Sequence, residues 1–517
     1  MKGIVSLVLG LVAVFQPLAS AASVPNYFER SPTTRSQLDA NQIQAELGQL
    51  VSKETVIFGP GDDRYENATS RWNTFAVPQV QVVISPGCES DVSTIVKYCN
   101  DNSINFLAIN HHHGNPQSLG SFNGVQINIA SLKSIKIQPS GKSAWFEGGA
   151  YDGQVTRYLW DRGYVTTTGA CDCVGVVGAA LGGGHGRHEG LYGMISDNIL
   201  QLNVVLADGQ AIRVNETSYS DLLWAMKGAG HNFGIVTSFE LNVFPRGPDA
   251  WHYQNFIWRG DKLEAVFDAL NELHNNGTTP VDMAINFGNF LMNTTITDKE
   301  PVIWWTFAYR GSATDAKKYL DPFTEIESVY QESGDVPYPE ISVAQGNDEN
   351  GFICQEGRTR LTATAGLQVY NLTAERQIFD GFTKRVASNP KLAAGGGILH
   401  EGYSTRAVQA QNAADSAYPF RDDHHLMLAQ IVVDDPSLEP AGWEWAKEVR
   451  DFWNDGQPTR PVNAYVNYAN GFEPVEQMYG HEAWRLERLR GLKAKYDPYN
   501  RFRYYNPIVG GETDGPI

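Results

Sequence analysis

The segment from Gly169 to Gly193 limits the possible folds more than any other part of this chain, because nine of its residues are glycine. Glycine at that density weakens a helix or strand, since each one gives up more backbone freedom on folding than any other residue. It favours a stretch whose amides come close to a ligand, with no Cβ in the way and positive φ allowed, an arrangement suited to a pyrophosphate. Familiar nucleotide loops do not account for it. Gly182-x-Gly184 is followed by Arg187 at the sixth position, so G-x-G-x-x-G fails, and no G-x-x-x-x-G-K-[ST] loop exists.

A second unusual segment is Phe106 to Gly114, a strand-like run that enters a turn carrying His111, His112 and His113. These histidines, with His185 or His188, raise the option of a metal site. Adjacent residues on an extended chain face opposite ways, so at most two of the three converge, and H-E-x-x-H is absent. No metal is therefore expected. A plainer alternative is a polar turn whose imidazoles only make hydrogen bonds.

Composition narrows the setting. The formal net charge of -18, with no basic run, argues against nucleic acid as a partner. Lys2, the apolar stretch Ile4 to Phe15 and the small residues Ala19-Ser20-Ala21 read as a signal peptide over 1–21, too short to span a bilayer, and no later segment is long and apolar enough to do so. The expectation is a secreted protein without a membrane partner, and no obligate protein partner is evident. Sequons at Asn67, Asn215, Asn276, Asn293 and Asn371 fit a glycoprotein. Five cysteines leave at least one unpaired or otherwise occupied. Cys88 and Cys99 bracket a helix read over Ser90 to Asn100, which sets their Cα atoms ~15 Å apart if Cys88 starts it; a bridge requires a later start, and the pairing stays open.

Short strands and helices alternate from about Val77 to Val243, while 23–75 shows no strong period. Phe244-Pro245-Arg246-Gly247-Pro248 is the clearest boundary. Beyond it come amphipathic helices (Leu263 to Leu273, Ile378 to Val386, Trp443 to Trp453) and the aromatic strand Val302 to Tyr309. Such stripes, Trp304, Trp305 and Trp443 included, are more often core than cofactor site. Tyr465-Val466-Asn467-Tyr468 reads as a strand, which sends the two tyrosines to opposite sides.

Cys171-x-x-Val174-Gly175-x-x-Gly178 followed by Gly182-Gly183-Gly184-His185-Gly186, the turn ending in His113, Asp221 to Ala225, Asn232 to Val236, Ala417 to Arg421, Tyr465 to Tyr468 and Tyr496 to Phe502 together resemble the berberine-bridge-enzyme-like branch of the vanillyl-alcohol-oxidase superfamily of FAD enzymes. The resemblance implies an α+β fold: a two-part PCMH-type FAD-binding domain (76–246 with a returning segment 461–517) and a substrate domain, 247–460, of antiparallel sheet covered by helices. It implies FAD held twice, by an 8α-histidyl bond through His113 and a 6-S-cysteinyl bond through Cys171, with Gly114, Gly175, Gly178, Gly184 and Ile235 around it. His111 and His112 replace the family's two glycines, and Cys173 is a rival thiol two residues out of register. Val174 stands at the family's oxygen-gating position. Tyr468 or Tyr465 is the candidate base, with His185 as the neighbour that lowers its pKa. The implied activity is oxidation of a small molecule (alcohol, phenol or natural-product intermediate) by hydride transfer to flavin, with dioxygen reduced to hydrogen peroxide. The alternatives are a carbohydrate oxidase that forms a lactone and a secreted binding protein without turnover.

Overall fold

The computed structural model describes residues 38–510, so the expected signal peptide lies outside the described residues. Three main sheets organise the chain. In the first, β1 (Val56–Phe58), β2 (Gln79–Ser85), β3 (Phe106–Ile109) and β4 (Asn123–Asn128) lie in the order β1-β2-β4-β3. The pairs β2/β4 and β3/β4 are parallel, and β1 joins antiparallel. The helix Glu89–Asp101 supplies the crossover that a parallel pair requires and packs Val92, Ile95, Val96 and Cys99 into the core beneath the sheet. Residues before Val77 belong to the same unit: Ile43 and Leu47 of the helix Ala40–Leu47 enter that core.

The second sheet is antiparallel. It comprises β5 (Ile135–Ile137), β6 (Ser143–Glu147), β8 (Ile199–Val205), β9 (Ala211–Asn215) and β10 (Ile235–Asn242) in the order β5-β6-β10-β8-β9. A two-stranded ribbon pairs β7 (Tyr164–Val165) with β11 (Phe244–Pro245), so the proline-rich boundary segment is itself tied down. The third sheet is wholly antiparallel. It holds β12 (Trp251–Trp258), β13 (Met283–Leu291), β14 (Val302–Tyr309), β15 (Tyr330–Val336), β16 (Thr359–Leu367), β17 (Gly396–Tyr403) and β18 (His425–Val433), ordered β15-β12-β14-β13-β17-β18-β16.

Alternation decides which face of the third sheet is core. Ile303, Trp305 and Phe307 of β14 pack with the helices Leu263–His274, Ala313–Thr324, Leu372–Ser388 and Glu439–Asp455, while Trp304 and Ala308 turn to the opposite face. Trp305 is thus core, and Trp443 packs edge-on against Phe75 and Phe472. The fold is α+β, mixing helices with largely antiparallel sheets.

The helix Ala483–Tyr496 returns to the second sheet, where Leu489, Leu492 and Tyr496 join its core. Lys493 is fully buried there: its ammonium donates to Asp497 (2.6 Å), to the Asn232 carbonyl (2.8 Å) and to the Phe502 carbonyl (3.0 Å). Every proton of the buried ammonium is therefore used.

The structure settles the open cysteine pairing and corrects one expectation from the sequence. Cys88 caps the helix Glu89–Asp101 and Cys99 lies in its core-facing stripe; both are free, and the disulfide is Cys173–Cys354, with Cα atoms 5.9 Å apart. The Tyr465–Tyr468 segment is a turn, closed by the Tyr468 amide donating to the Tyr465 carbonyl at 2.8 Å. Of the sequon asparagines, Asn67, Asn276 and Asn371 are exposed and Asn215 and Asn293 half-exposed.

Asp497→Ala leaves the Lys493 charge buried without its carboxylate, which should cost about 3–5 kcal/mol. A Lys493→Met/Asp497→Leu double variant should recover only part of that loss, because the Arg501 and Phe502 amides also donate to Asp497, at 2.8 Å each. The denaturation midpoint followed by tryptophan fluorescence checks both.

Candidate active site

One cavity lies where the first two sheets meet the third. Its first wall is the loop after β3. There the Asn110 carboxamide donates to the Gly148 carbonyl (2.9 Å) and leaves its Oδ1 without a partner. His111, His112, His113 and Gly114 follow along the cavity. His112 holds a left-handed φ of 58°, at a place where the implied family pattern has glycine; histidine is among the few non-glycine types enriched in that region. The His113 ring stacks on Trp72, 5.4 Å between centroids at 23°. Burial drives both His112 and His113 down to about 3, reinforced by Arg71 and the neighbouring imidazole at His112 and by His111 and Arg360 at His113. Both rings are therefore neutral at physiological pH and keep a nitrogen lone pair.

The second wall comes from the glycine-rich segment. Cys171 is a free, half-buried thiol on the cavity; burial and then the charge of Glu401 push it up to about 12. Cys173, its rival in sequence, is consumed by the disulfide to Cys354. A Cβ on Gly175 would meet Asn110 Nδ2 at 2.4 Å, so glycine lets the two walls close together. A Cβ on Gly178 would meet nothing within 4 Å and would stand in open cavity space. Val174 and Ile235 also line the cavity. Gly184 does not: a Cβ there would meet Ile195 at 2.7 Å, and its amide donates to Tyr465 Oη at 3.2 Å.

The third wall carries the groups suited to proton transfer. Glu401 of β17 faces the cavity, and Tyr468 donates to its Oε2 at 2.9 Å, with Tyr403 at 3.4 Å. Burial raises Glu401 to about 7, against the Tyr468 hydrogen bond and the positive pull of His185. Tyr465 and Tyr468 both line the cavity, contrary to the strand reading. Neither has a depressed pKa: burial raises Tyr468 well above its ordinary value and Tyr465 beyond any physiological range. His185 does not act on them as expected. Its Nδ1 meets Glu189 at 2.9 Å and its Nε2 meets Tyr418 Oη at 2.8 Å. Burial pulls His185 down, but the Glu189 carboxylate outweighs it and the net shift is upward.

Sequence reasoning missed Glu401 and Arg71. Arg71 is 3 % exposed and lines the cavity, with Nε and Nη1 unpartnered. Its Nη2 donates to Gln126 Oε1 only at 3.5 Å, and a buried cation with two nitrogens unpartnered beside a cavity calls for an electron-rich ligand. Together with the open cradle at Gly178, the neutral imidazoles and the apolar flank of Ile109, Ile129, Val177 and Ile235, these residues fit FAD. His188 is elsewhere, packed against Trp251 (5.2 Å) and Tyr338 (4.6 Å). No three histidine, cysteine or acidic side chains among the described residues are placed to hold a metal ion. No helix among the described residues is long and apolar enough to cross a membrane.

Comparison with known proteins gives the same assignment. Residues 80–215 match the model of the FAD binding domain, and residues 464–509 match the model described as berberine and berberine like. The chain is 50% identical over 499 residues to the FAD-linked oxidoreductase anuG of Penicillium roqueforti, covering 96% of this chain and 98% of that one. Its fold is similar to that of a chitooligosaccharide oxidase (TM-score 0.76, 20% identity, 91% of this chain and 99% of the other). It is also similar to the glucooligosaccharide oxidase of Acremonium strictum (TM-score 0.74, 20% identity, 91% and 100%). On this evidence the chain belongs to the berberine-bridge-enzyme-like family of FAD-linked oxidoreductases.

Proposed function

We propose that this protein is a secreted oxidase of a small molecule, with FAD fixed covalently through His113 and Cys171, Glu401 as the catalytic base and dioxygen as the electron acceptor. The observation that carries the reading is the placement of Glu401: a buried carboxylate raised to about 7 and hydrogen-bonded by Tyr468, on the cavity that also holds His113 and Cys171. FAD, once bound, would supply the two-electron acceptor for the substrate's C–H bond, with dioxygen as the final acceptor and hydrogen peroxide as the product. The chain's own residues handle the proton. A base works best with a pKa near the operating pH, and Glu401 meets that condition where the tyrosines do not. Tyr468 holds the Glu401 carboxylate in place and lowers its proton affinity.

Two features support the covalent attachment. His113 is a neutral imidazole stacked on Trp72, and Cys171 is the one cavity-lining thiol among the described residues. The Acremonium strictum oxidase is described as carrying a 6-S-cysteinyl, 8α-N1-histidyl FAD. The leader-like residues 1–21 and the exposed or half-exposed sequons support secretion and glycosylation.

Glu401→Gln should slow anaerobic flavin bleaching by substrate about 10²–10⁴-fold, the usual worth of a positioned base. In the unmodified protein the bleaching rate should fall as pH drops below about 7, because Glu401 then takes up a proton. Tyr468→Phe removes a hydrogen bond that lowers the Glu401 pKa, so the inflection should move to higher pH. Stopped-flow measurement across pH checks all three, and an unchanged rate for Glu401→Gln would exclude Glu401 as the base. Gly178→Leu, which fills the open cradle, should fold but retain little flavin, read from the ratio of flavin to protein absorbance.

A further inference from the structure

We infer that Cys354 is a specificity-determining residue for flavin attachment: by pairing with Cys173 it leaves Cys171 as the thiol that meets the cofactor, so the disulfide forms before the cysteinyl bond. This rests on the tether proposed above, and concerns which thiol is spared rather than whether flavin is bound. Cys171 and Cys173 are separated by one residue, so their Cα atoms lie at most about 7 Å apart. Any loop movement that brings one of them to Cys354 brings the other almost as close. The structure resolves that ambiguity in one direction, with Cys173 bonded to Cys354 and Cys171 free on the cavity. The other two cysteines are out of the contest, since Cys99 is fully buried in the core beneath the first sheet and Cys88 caps the helix that carries it.

A disulfide can act here as a tie or as a way of retiring a thiol, and the contacts around it favour the second. The cavity wall at 170–172 is held to the connection between β15 and β16 without it. The Asp172 amide donates to the Asn347 carbonyl (3.0 Å), the Asn347 carboxamide donates to the Ala170 carbonyl (3.4 Å), and Arg157 bridges Asp172 and Glu349. None of these bonds removes a sulfhydryl. Timing points the same way. In the finished fold, burial and then Glu401 push Cys171 up to about 12, which suppresses the thiolate that disulfide chemistry requires. Pairing is therefore decided while the wall assembles and the three thiols still ionise in their ordinary range. With Cys173 absent at that stage, Cys354 takes Cys171 instead. Attachment replaces the Cys171 S–H and the flavin C6–H with an S–C6 bond, whereas capture replaces the Cys171 and Cys354 S–H bonds with an S–S bond. In either case two electrons and two protons go to dioxygen, which leaves as hydrogen peroxide.

The test is peptide mass mapping of acid-denatured protein, alkylated without reduction, for the unmodified chain, Cys173→Ser and the double variant Cys173→Ser/Cys354→Ser. Flavin on the His113 peptide reports folding and cofactor binding in each. The unmodified chain should carry flavin on Cys171 as well, with Cys173 bonded to Cys354. Cys173→Ser should lose most of the Cys171–flavin adduct and gain a Cys171–Cys354 bridge. The double variant lacks the tie but also the captor, so it should recover the adduct. Cys173→Ser with an intact Cys171 adduct and a free Cys354 would overturn the inference, as would a double variant with no more Cys171 adduct than the single one. If neither variant keeps flavin on His113, the disulfide map of the single variant decides: a Cys171–Cys354 bridge supports the inference, and two free thiols overturn it. An unmodified chain with no flavin on Cys171 would instead contradict the tether itself, and this inference with it.

Discussion

The site depends on one constraint: two loops far apart in the sequence must be held to the same cavity, and the connection from β15 to β16 holds both. Residues 341–360 cross from the third sheet to the loops that carry His113 and Cys171. On the Cys171 side, the Asp172 amide donates to the Asn347 carbonyl (3.0 Å), Arg157 pairs with Asp172 and Glu349, and Cys173 is bonded to Cys354 across 181 residues of sequence. On the His113 side, Trp72 Nε1 donates to the Ile353 carbonyl (2.6 Å), the Gly357 amide donates to the Arg71 carbonyl (2.7 Å), and the Arg360 guanidinium lies over the Trp72 ring at 4.2 Å. Trp72 is in turn the surface on which His113 stacks. A cross-link closing so long a loop removes much of the unfolded chain's freedom, so both walls are held before any ligand arrives.

Burial then sets the charge pattern inside. At the histidine end it strips protons from His112 and His113, leaving neutral rings next to Arg71, whose Nε and Nη1 have no partner. At the opposite end it raises Glu401 into the range where a carboxylate can exchange protons, and Tyr468 limits that rise. Burial pulls His185 down as well, but Glu189, itself fully buried and 2.9 Å from its Nδ1, together with Glu401 and Asp423 makes the net shift upward. Burial therefore leaves imidazoles neutral in one place, while in another the carboxylates within reach turn the net shift upward.

Much of this was legible in the sequence where local rules govern. The strand Val302–Tyr309 shows the limits read from its composition, and the Cys171 and His113 motifs face one cavity. Glu401 was not legible, because an acid inside a strand normally marks the solvent face, and only the packing of the third sheet against the flavin cavity turns it inward. Tyr465 to Tyr468 alternates like a strand but folds as a turn, since the Asn506 carboxamide takes up the Val466 carbonyl (2.8 Å) that a neighbouring strand would have used. The Cys173–Cys354 pairing depends on contacts between distant segments, which spacing does not encode.

The central claim, FAD tethered at both walls, is tested most directly by the mass of the denatured protein and of its peptides. The account predicts that one FAD remains attached after acid precipitation and that proteolysis yields a flavin adduct joining the His113 and Cys171 peptides. It further predicts that only the double variant His113→Ala/Cys171→Ala releases all of it. Unmodified mass with the full yellow colour in the acid supernatant would contradict the tether, and a protein purified without flavin would contradict the site itself.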